Sequence, residues 1–256
     1  MADNPYAAPR AHVADAGSDV QGEFIADGRP VPAGNGWTWI TEAFSLFRQQ
    51  PVAWILIVIV FVAISVAVSA IPGIGKLAVQ LLTPVFTGGI MLGCRAMDEG
   101  GEIGVGSLFA GFSVNGGRLA LLGLASMAAV AVVLLVTGLM LGVGGALLGL
   151  GGNAGSIAFT TSLLAMLVVL ALTLPIYMAV WFAPALIALN DLALGTALAA
   201  SFRGCLRNVV PFLVYGVVTF IFLVLAVIPL GLGLLVMIPV LFASVYTAYR
   251  DIYYAR

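Results

Sequence analysis

Asp98, Glu99 and Glu102 stand close together in one polar stretch, and a cluster of carboxylates is the type of residue set that binds a hard divalent cation. Directly before them Cys94 sits beside Arg95, and a neighbouring guanidinium lowers a thiol pKa. The only histidine, His12, is near the N-terminus. Neither constellation is complete. The acids read as a solvated loop, and the cysteine as a small residue at the end of an apolar segment. There is no His-x-x-x-His, no Cys-x-x-Cys and no carboxylate pair inside an apolar segment, so the chain lacks the placed acids, bases, nucleophiles and ligands of a hydrolase, transferase or redox enzyme. We expect no catalytic residue, no cofactor and no metal. The remaining candidate is polar rather than reactive: Gln80, Thr83, Pro84 and Thr87 form a patch within an otherwise apolar stretch. Such a patch either hydrogen-bonds between helices or lines a pathway.

The segments that would position these residues are written in the distribution of charge. No Asp, Glu, Lys or Arg occurs from Gln49 to Gly75, from Leu119 to Asn190 or from Asn208 to Tyr249. Charged residues make up 8 % of the chain, against about 25 % in an ordinary soluble domain. Mean hydropathy is +1.16. A charge at mid-bilayer costs about 2.5–3.5 kcal/mol even on the translocon scale, so charge-free runs of this length belong in lipid. A span needs about 20 apolar residues. Six segments qualify: Val52–Ile71, Leu77–Cys94, Leu119–Leu141, Ser162–Leu189, Val209–Ile228 and Leu232–Tyr249. The fold class is therefore all-α, a polytopic transmembrane bundle of six spans. The fourth segment is too long for one perpendicular crossing and is expected to tilt, or to run along the interface after Pro184. Turns are predicted at Ile71–Gly75, at Gly142–Ser156 and at Ile228–Gly231.

Nine of the ten bases fall on one side of this threading, Lys76 alone on the other, so the positive-inside rule predicts cytoplasmic termini. With ten Lys/Arg against eleven Asp/Glu there is no field for nucleic acid. The expected partners are the lipid bilayer and, within it, further copies of the chain or other membrane proteins. Cys94 and Cys205 then face a reducing compartment. Residues 1–35 are rich in Pro, Ala, Gly and Asp and have no apolar core, which predicts a disordered cytoplasmic tail ahead of a transmembrane domain at 36–256.

The domain also reads as a threefold repeat, with units at about 36–98, 104–190 and 193–253. Each unit opens on an amphipathic stretch, at 37–48, 105–118 and 194–208, in which Phe44, Phe112 and Phe202 hold matching places. With Trp37 they are the expected interfacial anchors. In the first stretch Trp37, Ile40, Phe44 and Phe47 are predicted to share the apolar face. The second span of each unit carries an internal proline, Pro84, Pro175 or Pro239, which predicts a kink.

The Asn4-Pro5-Tyr6-Ala7-Ala8-Pro9 start and the spacing Gly36-Trp37, Ala43-Phe44, Phe47, Pro51 resemble a family of uncharacterised six-span inner-membrane proteins of Gram-negative bacteria. The unit of interfacial helix plus hairpin is more loosely similar to the membrane domain of glycerophosphodiester phosphodiesterases, whose catalytic barrel this chain lacks. Both resemblances imply architecture and no activity. The function expected is a non-catalytic inner-membrane protein organising lipids or partner proteins at the cytoplasmic face, with a transporter or channel for a small neutral or amphiphilic solute as the alternative.

Overall fold

The computed structural model describes residues 22–149 and 154–255. Among these residues ten helices follow one another: α1 (Asn35–Gln49), α2 (Pro51–Ser69), α3 (Gly75–Asp98), α4 (Val105–Ser113), α5 (Gly116–Gly149), α6 (Ala154–Trp181), α7 (Ala183–Asn190), α8 (Leu194–Arg207), α9 (Val209–Val227) and α10 (Leu234–Tyr253). Six segments are long and apolar enough to span a membrane, with α6 and α7 counted as parts of one. The described residues contain no β-strand; a single isolated bridge joins Phe24 to Tyr254.

Local sequence sets the boundaries. Pro51 opens α2 and Pro184 lies in the first turn of α7, where a missing N–H costs nothing. Gly73 (φ +81°) and Gly231 (φ +80°) turn the two short hairpins in the left-handed region, so the predicted Pro-Gly and Pro-Leu-Gly turns are in place. The third turn differs. The chain stays helical through Gly149 and is helical again from Ala154, while 150–153 lie outside the described residues. Glycine costs a helix only about 1 kcal/mol per residue, and peptide groups without water have no partner but one another. α5 is consequently 34 residues long, about 51 Å at 1.5 Å per residue, where the 19 residues of α2 reach about 28 Å.

The predicted long fourth span is broken. α6 ends at Trp181, three residues ahead of Pro184, and α7 is a separate helix whose residues Ala183–Ala188 are all buried. Its last turns run inside the protein, against α3, rather than along a lipid interface. The tail needs a similar correction. Residues 22–34, expected to be disordered, pair with the end of α10: Ile25 N–H donates to the Tyr253 carbonyl, Arg29 N–H to that of Ile252, and Ala255 N–H to that of Glu23. Composition misled here because the segment borrows its partner backbone from the other end of the chain. Residues 1–21 lie outside the described ones.

Helices α1, α4 and α8, each a short helix ahead of long ones, gather at one end of the bundle. There α1 packs on α10 and α9, α4 on α3, and α8 on α6. The core collects at the same end, with Trp39, Trp54, Phe182, Tyr246, Tyr249 and Tyr253 among its fully buried side chains. Within α1 the buried face is Trp39, Ile40, Ala43, Leu46 and Phe47, which corrects the predicted one. Trp37 and Phe44 flank it at 49 % and 44 % exposure.

Candidate functional site

Three of the buried polar residues, Ser244, Thr247 and Asp251, lie on α10, and the most heavily bonded of them is in its last turn. Asp251 is 4 % exposed. Its carboxylate accepts from the Arg29 guanidinium at 3.1 Å, the Asn35 amide at 2.7 Å and the Trp39 indole N–H at 2.8 Å. Arg29 Nε also donates to the Asp251 carbonyl. One carboxylate thereby pins the docked segment and α1 to α10. Burying a charge is tolerable only with such complete pairing.

Arg250, its neighbour, serves a second knot. It pairs with Glu42 of α1 at 2.8 Å and with Asp98 of α3, and the Tyr246 hydroxyl donates to Asp98 at 3.1 Å. Tyr249 donates to Asn190 Oδ1, and Asn190 Nδ2 donates to the Tyr254 hydroxyl at 2.9 Å, tying α10 to the end of α7. Arg95 Nη1 donates to the Leu189 carbonyl and its Nε pairs with Glu99. Asn208, fully buried, donates to the carbonyls of Arg29 and Gly204 and accepts from Val31 N–H. Arg207 donates to the carbonyls of Asp27 and Gly28, and Arg203 pairs with Asp27.

The break before α7 is satisfied from outside its own helix. The Ser201 hydroxyl of α8 accepts from Phe182 N–H at 3.0 Å and donates to the Met178 carbonyl at 2.7 Å. Cys205, one turn along α8, is free and buried, and burial pushes its thiol pKa up to about 12 against a smaller opposing bond from Ser201. Cys94 is also free and buried.

The residues singled out from sequence lie elsewhere. Gln80, Thr83 and Pro84 line a groove of about 310 Å³ between α3, α5 and α6, together with Ser126, Thr173 and Tyr177. Thr83 and Thr87 turn their hydroxyls back onto the carbonyls of Val79 and Thr83, and Ser126 onto that of Leu122. Thr87 is not in the groove lining. Pro84 and Pro239 are buried inside α3 and α10, whereas Pro175 is exposed on α6. Phe112 is 47 % exposed and Phe202 half-buried. Asp98, Glu99 and Glu102 do not form a common site: Asp98 faces Arg250 and Glu99 faces Arg95. The Asp251 knot was missed altogether. Its signal is a charged pair embedded in aromatic residues at helical spacing, Tyr246, Tyr249, Arg250-Asp251 and Tyr253.

Six apolar helices around a polar knot define a polytopic helical membrane protein. The chain is 32 % identical over 252 residues to a probable inner membrane protein of Burkholderia thailandensis, an alignment covering 86 % of this chain and 91 % of the relative, and it belongs to that protein's family. No protein-family model matches the chain, and no solved structure matches it. The looser likeness to the membrane domain of glycerophosphodiester phosphodiesterases finds no support in these comparisons.

Proposed function

We propose that the protein is a non-catalytic inner-membrane protein that organises lipids or partner proteins at its base-rich end, with both termini in the cytoplasm. One observation carries this reading. At that end the buried and partly buried charged side chains are spent on holding helices together: Asp251 accepts from three residues, and Arg250 bridges two carboxylates from different helices. What remains for a ligand is surface. The sidedness follows from Arg29, Arg48, Arg95, Arg118, Arg203, Arg207 and Arg250 sharing one end while Lys76 begins the span at the other.

The three short-helix-plus-hairpin groups are read as an internal repeat. In its favour, the residues preceding Phe44, Phe112 and Phe202 are Ala43, Gly111 and Ser201, all small and all buried. The transport alternative has the Gln80 groove in its favour. Its hydroxyls at Thr83 and Ser126 bond their own helices, leaving Gln80, Thr173 and Tyr177 to meet a solute, so we place it second.

The test joins topology to capture. A reporter fused after Gly231 and another after Arg256 should report opposite sides of the membrane, the second cytoplasmic. Crosslinking in native membranes followed by mass spectrometry should recover lipid or protein partners on residues of α1, α4 or α8. A cytoplasmic signal after Gly231, or crosslinks confined to the opposite end, would overturn the reading.

A further inference from the structure

The base-rich end holds, among the described residues, one base that makes no bond within the protein. Among the described residues, Arg29, Arg95, Arg118, Arg203, Arg207 and Arg250 each bond to a carboxylate or carbonyl of the chain. Arg48 and Lys76 bond to nothing, and Lys76 is at the far end, in the first turn of α3. Arg48 is exposed near the C-terminus of α1, and the one carboxylate of that helix, Glu42, is held by Arg250. No described residue therefore neutralises its charge.

The position of Arg48 gives that charge a context. Residues 37, 41, 44 and 48 follow the i, i+4, i+7, i+11 progression and form one stripe of α1. The first three, Trp37, Thr41 and Phe44, wall a groove of about 450 Å³ whose other sides are α9 and α10, through Phe222, Met237 and Val240 among others. The groove is lined almost wholly by apolar side chains. Arg48 follows Phe44 by one turn, so its Cβ stands about 5–6 Å from that of Phe44. Ser45, exposed on the neighbouring turn, also makes no bond within the chain.

We propose that the α1–α9–α10 groove binds an anionic glycerophospholipid, one acyl chain between α1 and the α9–α10 hairpin and the phosphate on Arg48 and Ser45. This rests on the lipid-organising reading above and gives it a lipid class and a site. Apolar walls alone accept any acyl chain. The unneutralised guanidinium at the rim selects the anionic headgroup, because a base near the bilayer surface attracts anionic lipid and a guanidinium matches phosphate geometry.

The test is native mass spectrometry of the intact full-length protein from detergent, after incubation with an equimolar mixture of dioleoyl phosphatidylglycerol and dioleoyl phosphatidylcholine. The parent protein should retain the anionic lipid in about five-fold preference, the effect expected of one base at the surface. Arg48→Gln should bring the ratio close to one while lipid is still retained. Val236 of α10 also lines the groove, and Val236→Phe, which fills it, should reduce retention of both lipids. Lys76→Gln should leave the preference unchanged. Equal retention by the parent, no change in Arg48→Gln, or an equal loss in Lys76→Gln would each overturn the site. Reporter fusions and crosslinks that still behave as expected would then leave the broader reading standing.

Discussion

Helices α10 and α6 are both proline-containing spans, yet 61 % of the most apolar 18 residues of α10 are buried inside the protein and only 6 % of the most apolar 18 of the span Ala158–Asn190, to which α6 contributes most. The order runs against simple hydropathy. α10 and α3, the two least apolar spans, are the two most buried, and the four most apolar spans are the most exposed. In water the apolar helix seeks the core. In lipid the tails are as apolar as leucine, so nothing drives an oily helix inward, and polar groups that need partners become the reason to pack. The bundle is organised around the spans that carry Thr247, Arg250 and Asp251, or Arg95 and Asp98, and the oiliest helices are left at the periphery.

The largest expected effect strikes the buried side of that comparison. Asp251→Leu would strip Arg29, Asn35 and Trp39 of their common acceptor, and losing one partner of a buried pair costs about 3–5 kcal/mol. Arg29 keeps 32 % of its side chain exposed, which points to the lower part of that range. The detergent-purified variant should lose its monodisperse peak at markedly lower temperature than the parent, and protease should cut near Arg29. Asp251→Asn, which retains one acceptor, should fall between. An unchanged melting curve for Asp251→Leu would mean that α10 is central for some reason other than its polar knot.

The lipid-facing counterpart is Phe220→Arg on α9. Phe220 is 67 % exposed and stands eleven residues along from Val209, close to the middle of a 30 Å core. The charge should cost about 3 kcal/mol at that depth and lower the amount of protein recovered in membranes, whereas Phe220→Leu should be silent. Normal levels of the arginine variant would place that face of α9 against protein or water.

Between the two regions lies the break at Phe182. Ser201→Ala leaves the buried Phe182 N–H without an acceptor, at a cost of about 1–3 kcal/mol. Hydrogen exchange should rise locally around Trp181–Ala183 in that variant, with the far end of α5 unaffected. Exchange unchanged at Phe182 would show that another group can serve as acceptor.

These regions were unequally legible in the sequence. The peripheral spans α2 and α9 lie within two residues of the segments predicted for them, Val52–Ile71 and Val209–Ile228, because a lipid-facing helix answers to one local rule. The short helices α1, α4 and α8 showed through their helical periodicity, although the buried face of α1 rotated once Trp39 found Asp251. The break before α7 has only Pro184 as a local mark, and its repair by Ser201 comes from another helix. Residues 22–34 looked like tail because their composition is polar, and the backbone that holds them, at Ile252–Ala255, lies at the opposite end of the chain. What depended on distant partners was invisible to local pattern, and in this protein those partners are concentrated at one end.

The smallest expected effect has the opposite sign and concerns the periphery. A Cβ added at Gly138 of α5 would meet nothing within 4 Å, whereas one added at Gly111 would lie 2.0 Å from the Val85 carbonyl oxygen of α3. Glycine at the first position is therefore a helix weakness that no contact within the chain requires, and Gly138→Ala should stabilise the α5–α6 hairpin by about 0.5–1 kcal/mol. Gly111→Ala should destabilise, by about 1–3 kcal/mol, as α4 is forced off α3. The pair of variants, compared by thermal melting of the purified protein, separates glycine retained for close packing from glycine merely tolerated in lipid. If Gly138→Ala instead lowered stability or shifted the oligomeric state, the open face of α5 would have to be an occupied one, and the division between a packed end and a lipid-facing periphery would need redrawing there.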